Sequence, residues 1–186
     1  MPYFLIVPEL FLLRDLPRYE MLQEKARRYP DLDAGAVEAT LVLLRVASDV
    51  LEGHGVHFAR HNTSQGRFIT LVMLDNPCAQ SGMSPSELAD KMGVTRATVT
   101  GLLDGLERDE LISRQMCPED RRAFRIELTP KGRDFLSEIL PDHYRRIAGL
   151  MSHLDGEERR QLIGLLAKVA QGGDALRDAD WSPTQI

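Results

Sequence analysis

Cysteine is close to absent: 186 residues hold only Cys78 and Cys117. The two form no CxxC pair and no secreted disulfide framework, so a reducing cytoplasm is the expected location. Long apolar runs are missing too. The stretch from Tyr3 to Leu13 is interrupted by Pro8 and Glu9. No basic segment precedes it and no small-residue cleavage site follows, so neither a signal peptide nor a membrane span is expected. Positive charge is in deficit, with 23 Lys and Arg against 28 Asp and Glu and a net charge of -5. That excludes nucleic-acid binding through bulk charge but leaves room for a local basic footprint. Ser113, Asp142 and His143 occur without the flanking glycines of a nucleophile elbow, and there is no phosphate-binding loop. No enzyme and no cofactor are therefore expected.

What is present is ordinary globular material, 43% hydrophobic and 27% charged. Residues 1 to 30 form an extension punctuated by Pro2, Pro8, Pro17 and Pro30, so its only expected helix is short and lies within 18 to 28. Residues 33 to 60 read as one long helix, with breaks expected at Gly53 and Gly55. Val37, Leu41, Leu44 and Leu51 form one apolar stripe, and Leu43, Val46 and Val50 form a second. A helix apolar on two faces is covered by several neighbours, which in a chain this small points to a subunit interface. Further helices are expected over 65 to 75, over 131 to 150 with Pro141 kinking or splitting it, and over 156 to 171. Asp155 and Glu158 supply a capping box for the last of these.

The chemistry is concentrated between residues 84 and 133. Ser84-Pro85-Ser86-Glu87 starts a helix with a capping serine, a proline in the first turn and a capping-box glutamate. Gly93 stops it and Thr95 caps a second helix that buries Val99, Leu102, Leu103 and Leu106. Two helices joined by a glycine-bearing turn make a helix-turn-helix. At the start of the second, Arg96, Ala97, Thr98, Thr100 and Gly101 are small, hydroxylic or cationic, as entry into a major groove requires. A plain pair of packed helices would share much of this pattern. Leu111 to Arg114 and Phe124 to Leu128 then read as two short strands, the second alternating apolar and polar. Between them lies Cys117-Pro118-Glu119-Asp120-Arg121-Arg122. From 114 to 133 six cations (Arg114, Arg121, Arg122, Arg125, Lys131, Arg133) face three carboxylates, a local surplus of three positive charges. An arginine-tipped hairpin directly after such a helix can reach the neighbouring minor groove, with Asp120 placed to orient Arg122. The plainer alternative is a solvated turn.

The run SPSELADKMGVTRATVTGLLDGLERDELISR, followed by PEDRRAFRIELTPKG, resembles the MarR family of bacterial transcriptional regulators. It carries that family's Asp-x-Arg wing motif as Asp120-Arg121-Arg122, and the flanking helices fit in order and length over roughly residues 32 to 172. The resemblance implies a mainly α fold with a β-hairpin wing, a winged helix-turn-helix between dimerisation helices. Residues 1–63 would be the extension and first dimerisation helix, 64–130 the DNA-binding domain, and 131–186 the C-terminal dimerisation helices and tail. It further implies a homodimer reading a pseudopalindromic operator in double-stranded DNA through Arg96, Ala97, Thr98, Thr100, Gly101, Asp120, Arg121 and Arg122. A repressor released by a small-molecule effector is the expected mode. The long extension resembles the branch with an extra N-terminal helix, some of whose members respond to urate. Ile69 stands where that branch's urate pattern has an aspartate, so urate is not the expected effector.

Three histidines, His54, His57 and His61, share one side if their segment is helical. Imidazoles suit zinc, copper or nickel, but no further ligand follows at close spacing, so no metal site is assigned and ordinary polar histidines near an interface are the simpler reading. With Phe58 they fall where the MarR family often lines its effector pocket. Cys117, beside the wing, is either a passive thiol or a redox sensor. Two alternatives to an effector-released repressor remain: a metal- or redox-sensing regulator, and a winged-helix protein-interaction module without DNA binding.

Overall fold

The computed structural model describes residues 15–75, 82–116 and 124–178. The chain divides into two compact units, Met1–Leu136 and Ser137–Ile186.

In the first unit, α1 (Tyr19–Ala26) is the short helix expected of the extension, and it packs on α2 (Ala34–Arg60) through the buried Leu22. Asp33 caps α2 by accepting the Ala36 N–H at 3.0 Å. The expected breaks at Gly53 and Gly55 do not occur, since α2 is continuous for 27 residues. Each glycine costs a helix only about 1 kcal/mol, too little to end one of this length. The stop comes instead at His61, with Asn62 in the left-handed region at φ 52°, a conformation asparagine accepts more readily than most residues.

Ser64 then caps α3 (Gln65–Leu74), whose Phe68, Leu71 and Leu74 enter the core. Next come α4 (Pro85–Met92) and α5 (Arg96–Arg108), the two arms of the helix-turn-helix. They meet through the buried Leu88 and Ala89 of α4 and Val99, Leu103 and Leu106 of α5. Strands β1 (Ile112–Met116) and β2 (Phe124–Leu128) pair antiparallel, with Ile112 opposite Leu128, Arg114 opposite Ile126 and Met116 opposite Phe124. Met83 extends the hairpin by bridging to Ile126, exchanging backbone hydrogen bonds of 3.1 and 2.8 Å. This bridge depends on Gly82, at φ +69°, where a Cβ would come within 2.7 Å of the Ile126 carbonyl oxygen.

Helix α6 (Pro130–Leu150) begins in the first unit. Pro141 lies within it and does not split it. The ring removes one backbone donor, and the helix on either side supplies the remaining hydrogen bonds. In the second unit, α7 (Gly156–Gln171) has the expected capping box: Asp155 accepts from Glu158 N–H at 2.9 Å while Glu158 accepts from Asp155 N–H at 2.8 Å. None of α7 is buried, and Ile163, Leu165, Leu166 and Val169 stand exposed along it. Among the described residues, no helix is long and apolar enough to cross a membrane.

Candidate nucleic-acid interface and effector cluster

The turn between α4 and α5 is fixed from both ends. Ser84 and Glu87 form the reciprocal box, Ser84 N–H donating to Glu87 Oε2 at 2.7 Å and Glu87 N–H to Ser84 Oγ at 3.2 Å. Gly93 ends α4 at φ 64°, and Thr95 Oγ1 accepts the Thr98 N–H at 3.2 Å to start α5. The bond from Ser84 N–H, then its side chain, and the charge of Arg125 hold the Glu87 carboxyl below its ordinary value. This local chemistry sets where the first turn of α5 points.

That first turn is open. Arg96, Ala97, Thr98, Thr100 and Gly101 are all exposed. Thr100 Oγ1 donates to the Arg96 carbonyl at 2.9 Å, and the Thr98 hydroxyl lies 2.9 Å from that of Thr95. Both hydroxyls are thereby oriented, with acceptor capacity to spare and methyl groups free to meet an apolar base edge. Small residues at 97 and 101 allow close approach, and the N-terminal end of a helix carries the partial positive charge that suits phosphate.

The basic footprint is narrower than the sequence count suggested. Arg114 Nη2 lies 2.5 Å from Asp104 Oδ1, and its Nε is 3.2 Å from Glu107 Oε2. Arg125 Nη1 donates to Glu87 Oε2 at 3.2 Å and to the Gly82 carbonyl at 3.1 Å. Lys131 pairs with Glu110 at 2.9 Å, and Arg133 donates to the Leu128 carbonyl at 2.9 Å. All four cations at the root of the hairpin therefore have internal partners. Asp120, Arg121 and Arg122, the expected wing-tip contacts, lie outside the described residues, as do Cys78 and Cys117.

The four residues expected to bind an effector come together at the C-terminal end of α2. The His57 and Phe58 ring centroids are 5.3 Å apart, His57 and His61 5.2 Å, and His54 and Phe58 5.8 Å. Phe68 of α3 completes the group, 4.7 Å from Phe58. His57 and Phe58 are buried while His54 and His61 are partly accessible, so the cluster is a wall with a polar lip. A shallow apolar depression of about 230 Å³ lies at the other end of α2, against Ala36, Val37, Thr40 and Leu41.

Two positions escaped the sequence reading. Arg67 of α3 pairs with Asp109 at the end of α5 across 42 residues, a separation that no local pattern marks. The internal role of Arg114 was visible in principle. Strand side chains alternate, so Arg114 shares a face with Ile112 and stands opposite the buried Ile126, on the side turned toward the core.

Comparison with known proteins gives a consistent result. The MarR family matches residues 64–124. The HTH-type transcriptional repressor YetL of Bacillus subtilis is 35% identical over 166 residues, which covers 89% of this chain and 99% of that protein. The transcriptional repressor MprA of Escherichia coli K12 is 29% identical over 153 residues, covering 82% and 86%. Among solved structures, the Staphylococcus aureus MepR–DNA complex shares the fold at a TM-score of 0.64 and 23% identity, over 72% of this chain and 96% of that one. A crystal structure of MarR superposes at 0.56 with 25% identity, over 73% and 98%.

Proposed function

Since the chain belongs to the MarR family of transcriptional regulators, we propose that it acts as a homodimeric repressor of a pseudopalindromic operator and is released by a small-molecule effector. The observation that carries this reading is the exposed first turn of α5, capped by Thr95, on a helix that is followed after a three-residue turn by a hairpin braced at its root. Arg96 and Thr100 are placed to meet base edges or phosphates, with Arg121 and Arg122 proposed as the minor-groove contacts and Asp120 as the residue that orients Arg122. Exposed apolar residues on α2 (Val42, Leu44, Val46) and, separately, on α7 (Leu165, Val169) are each a face that a second copy would cover. Two copies would present recognition helices about one DNA turn apart. Names of relatives that specify repression, YetL and MprA among them, support the same mode.

We propose His54, His57, Phe58 and His61 as the effector site, which their ring contacts support. A planar or aromatic compound entering beside Phe58 would displace Phe68 and with it α3. It can release DNA only to the extent that it binds the displaced arrangement more tightly. Titration calorimetry of His57→Ala and Phe58→Ala proteins with an effector found by screening tests this, and unchanged affinity in both removes the assignment.

A protein-interaction module without DNA binding is the competing reading, and the net charge of -5 with three ion-paired cations at the wing root favours it. Selection of binding sites from a random duplex pool separates the two. A repressor enriches one pseudopalindrome, and its affinity falls steeply with salt as counterions are released. A pool that returns no common sequence overturns the repressor reading.

A further inference from the structure

Arg114 stands in an arginine-rich hairpin, yet its guanidinium is turned back onto the solvent-accessible face of α5. The alternation of β1 puts it on the core-facing side, beyond Ile112 and opposite Ile126. There it lies between Asp104 and Glu107, at 2.5 and 3.2 Å. These carboxylates are three residues apart on α5 and so share one face of that helix. The planar guanidinium, with five donors in a fixed fork, suits two acceptors at once. On the other strand, Arg125 ties β2 to Glu87 and the Gly82 carbonyl. The hairpin root is thus held to α5 on one side and to the start of α4 on the other.

We propose that Arg114 is a positioning residue for DNA recognition: by bridging Asp104 and Glu107 it sets the angle between wing and recognition helix, so that both can engage one operator. The inference rests on the DNA-reading role proposed above. An isolated two-stranded hairpin is marginally stable and has no direction of its own, so contacts at its root decide where it points. Met116, two residues beyond Arg114, stands about 7 Å further along the strand. Rocking the root by ~20° displaces that position by roughly 2 Å. Hydrogen bonds tolerate only about 0.5 Å, from 2.7 to 3.2 Å. The arrangement also explains two carboxylates on a helix that faces polyanionic DNA: Arg114 offsets their charge while they hold its position.

Charge alone and this brace predict opposite results for one variant. Asp104→Ala with Glu107→Ala removes two negative charges from α5 and substitutes the best helix former. Affinities of the full-length protein are measured for the selected operator and for an unrelated duplex, with circular dichroism recording helix content. The brace predicts that operator affinity falls about tenfold or more while affinity for the unrelated duplex holds or rises. Operator affinity that is unchanged, or that rises together with the unrelated duplex, overturns the proposal. Arg114→Ala supplies the second arm. Its operator affinity should fall with the slope of log affinity against log salt unchanged, because Arg114 touches no phosphate; a slope shallower by about one unit marks a direct phosphate contact and overturns the proposal as well. Should Arg114→Ala fail to fold, the carboxylate variant decides. A wild-type chain that selects no operator refutes the DNA reading itself, and this proposal with it. A wild type that does select one confines any failure to the brace.

Discussion

Arg67, in the first turn of α3, donates through Nη2 to the carboxylate of Asp109, the residue that caps the end of α5. The same turn of α3 holds Gly66, where a Cβ would lie 3.2 Å from Leu102 of α5, and Phe68, whose ring packs tilted against Phe58 of α2. One helical turn therefore touches both the recognition helix and the aromatic cluster. The rear of α5 is fixed through it.

Arg67→Met should lower stability by about 1 kcal/mol. The Arg67 side chain is largely covered, but that of Asp109 is 42% exposed, so solvent screening keeps the pair near the value for exposed ion pairs. The Arg67 hydrogen bond, with charges of Arg67, Arg108 and Lys131 behind it, holds the Asp109 carboxyl below its ordinary value of 3.8. A depressed carboxyl stabilises the fold above that ordinary value, and the contribution disappears as pH falls through the lower value of the folded chain. Urea denaturation of wild type and Arg67→Met at pH 7 and near pH 2 should show a gap that closes in acid. A gap of equal size at both pH values removes the ion pair as its cause.

Gly53→Ala and Gly55→Ala should each stabilise the protein by about 1 kcal/mol, the helix-propensity difference. A Cβ at either position meets nothing within 4 Å, so no clash offsets the gain. Thermal melting of the single and double variants measures it. A loss of stability would show that a partner chain packs against this side of α2 at closer range than a methyl group permits.

Much of this molecule was legible in local sequence, and the reason is that its boundaries are set by local chemistry. Ser84 with Glu87, Thr95, and Asp155 with Glu158 each satisfy helix donors within three residues, so the helix starts they mark could be read directly. The alternation from Phe124 to Leu128 placed β2 at its observed bounds. Breakers were over-read: Gly53 and Gly55 do not break α2 and Pro141 does not split α6, because one unfavourable residue is outweighed by the turns around it. The cations of the hairpin were over-read as well, since a count of charges ignores which face of a strand each occupies. Arg67 and Asp109 were invisible, as only tertiary packing brings positions 42 residues apart together.

Leu165→Glu with Val169→Glu should convert the protein to a monomer at micromolar concentration, as read by sedimentation velocity. Both residues lie on one side of α7, four apart, at 60% and 57% exposure, and a carboxylate at each would have to be desolvated in any apolar contact. Operator affinity should fall by about a hundredfold or more, the scale of losing a linked second site. Circular dichroism should change little, because no residue of α7 is buried within the chain. A variant that stays dimeric places the interface elsewhere.

Arg96 and Arg122 should behave alike in magnitude and differently in kind from Arg114. Arg96 is exposed in the first turn of α5, and Arg122 belongs to the Asp-x-Arg motif of the wing. Replacing either by alanine should weaken binding to the selected operator by roughly 1–3 kcal/mol, the scale for loss of a good DNA contact. A contact to a base edge relaxes specificity at one position of the site and leaves the salt slope nearly intact. A contact to phosphate weakens all sequences alike and lowers the slope by about one. Competition against single-base operator variants at two salt concentrations therefore assigns each arginine to one class. Binding by Arg122→Ala that equals wild type at both concentrations would remove the wing tip from the interface and leave α5 as the sole reader.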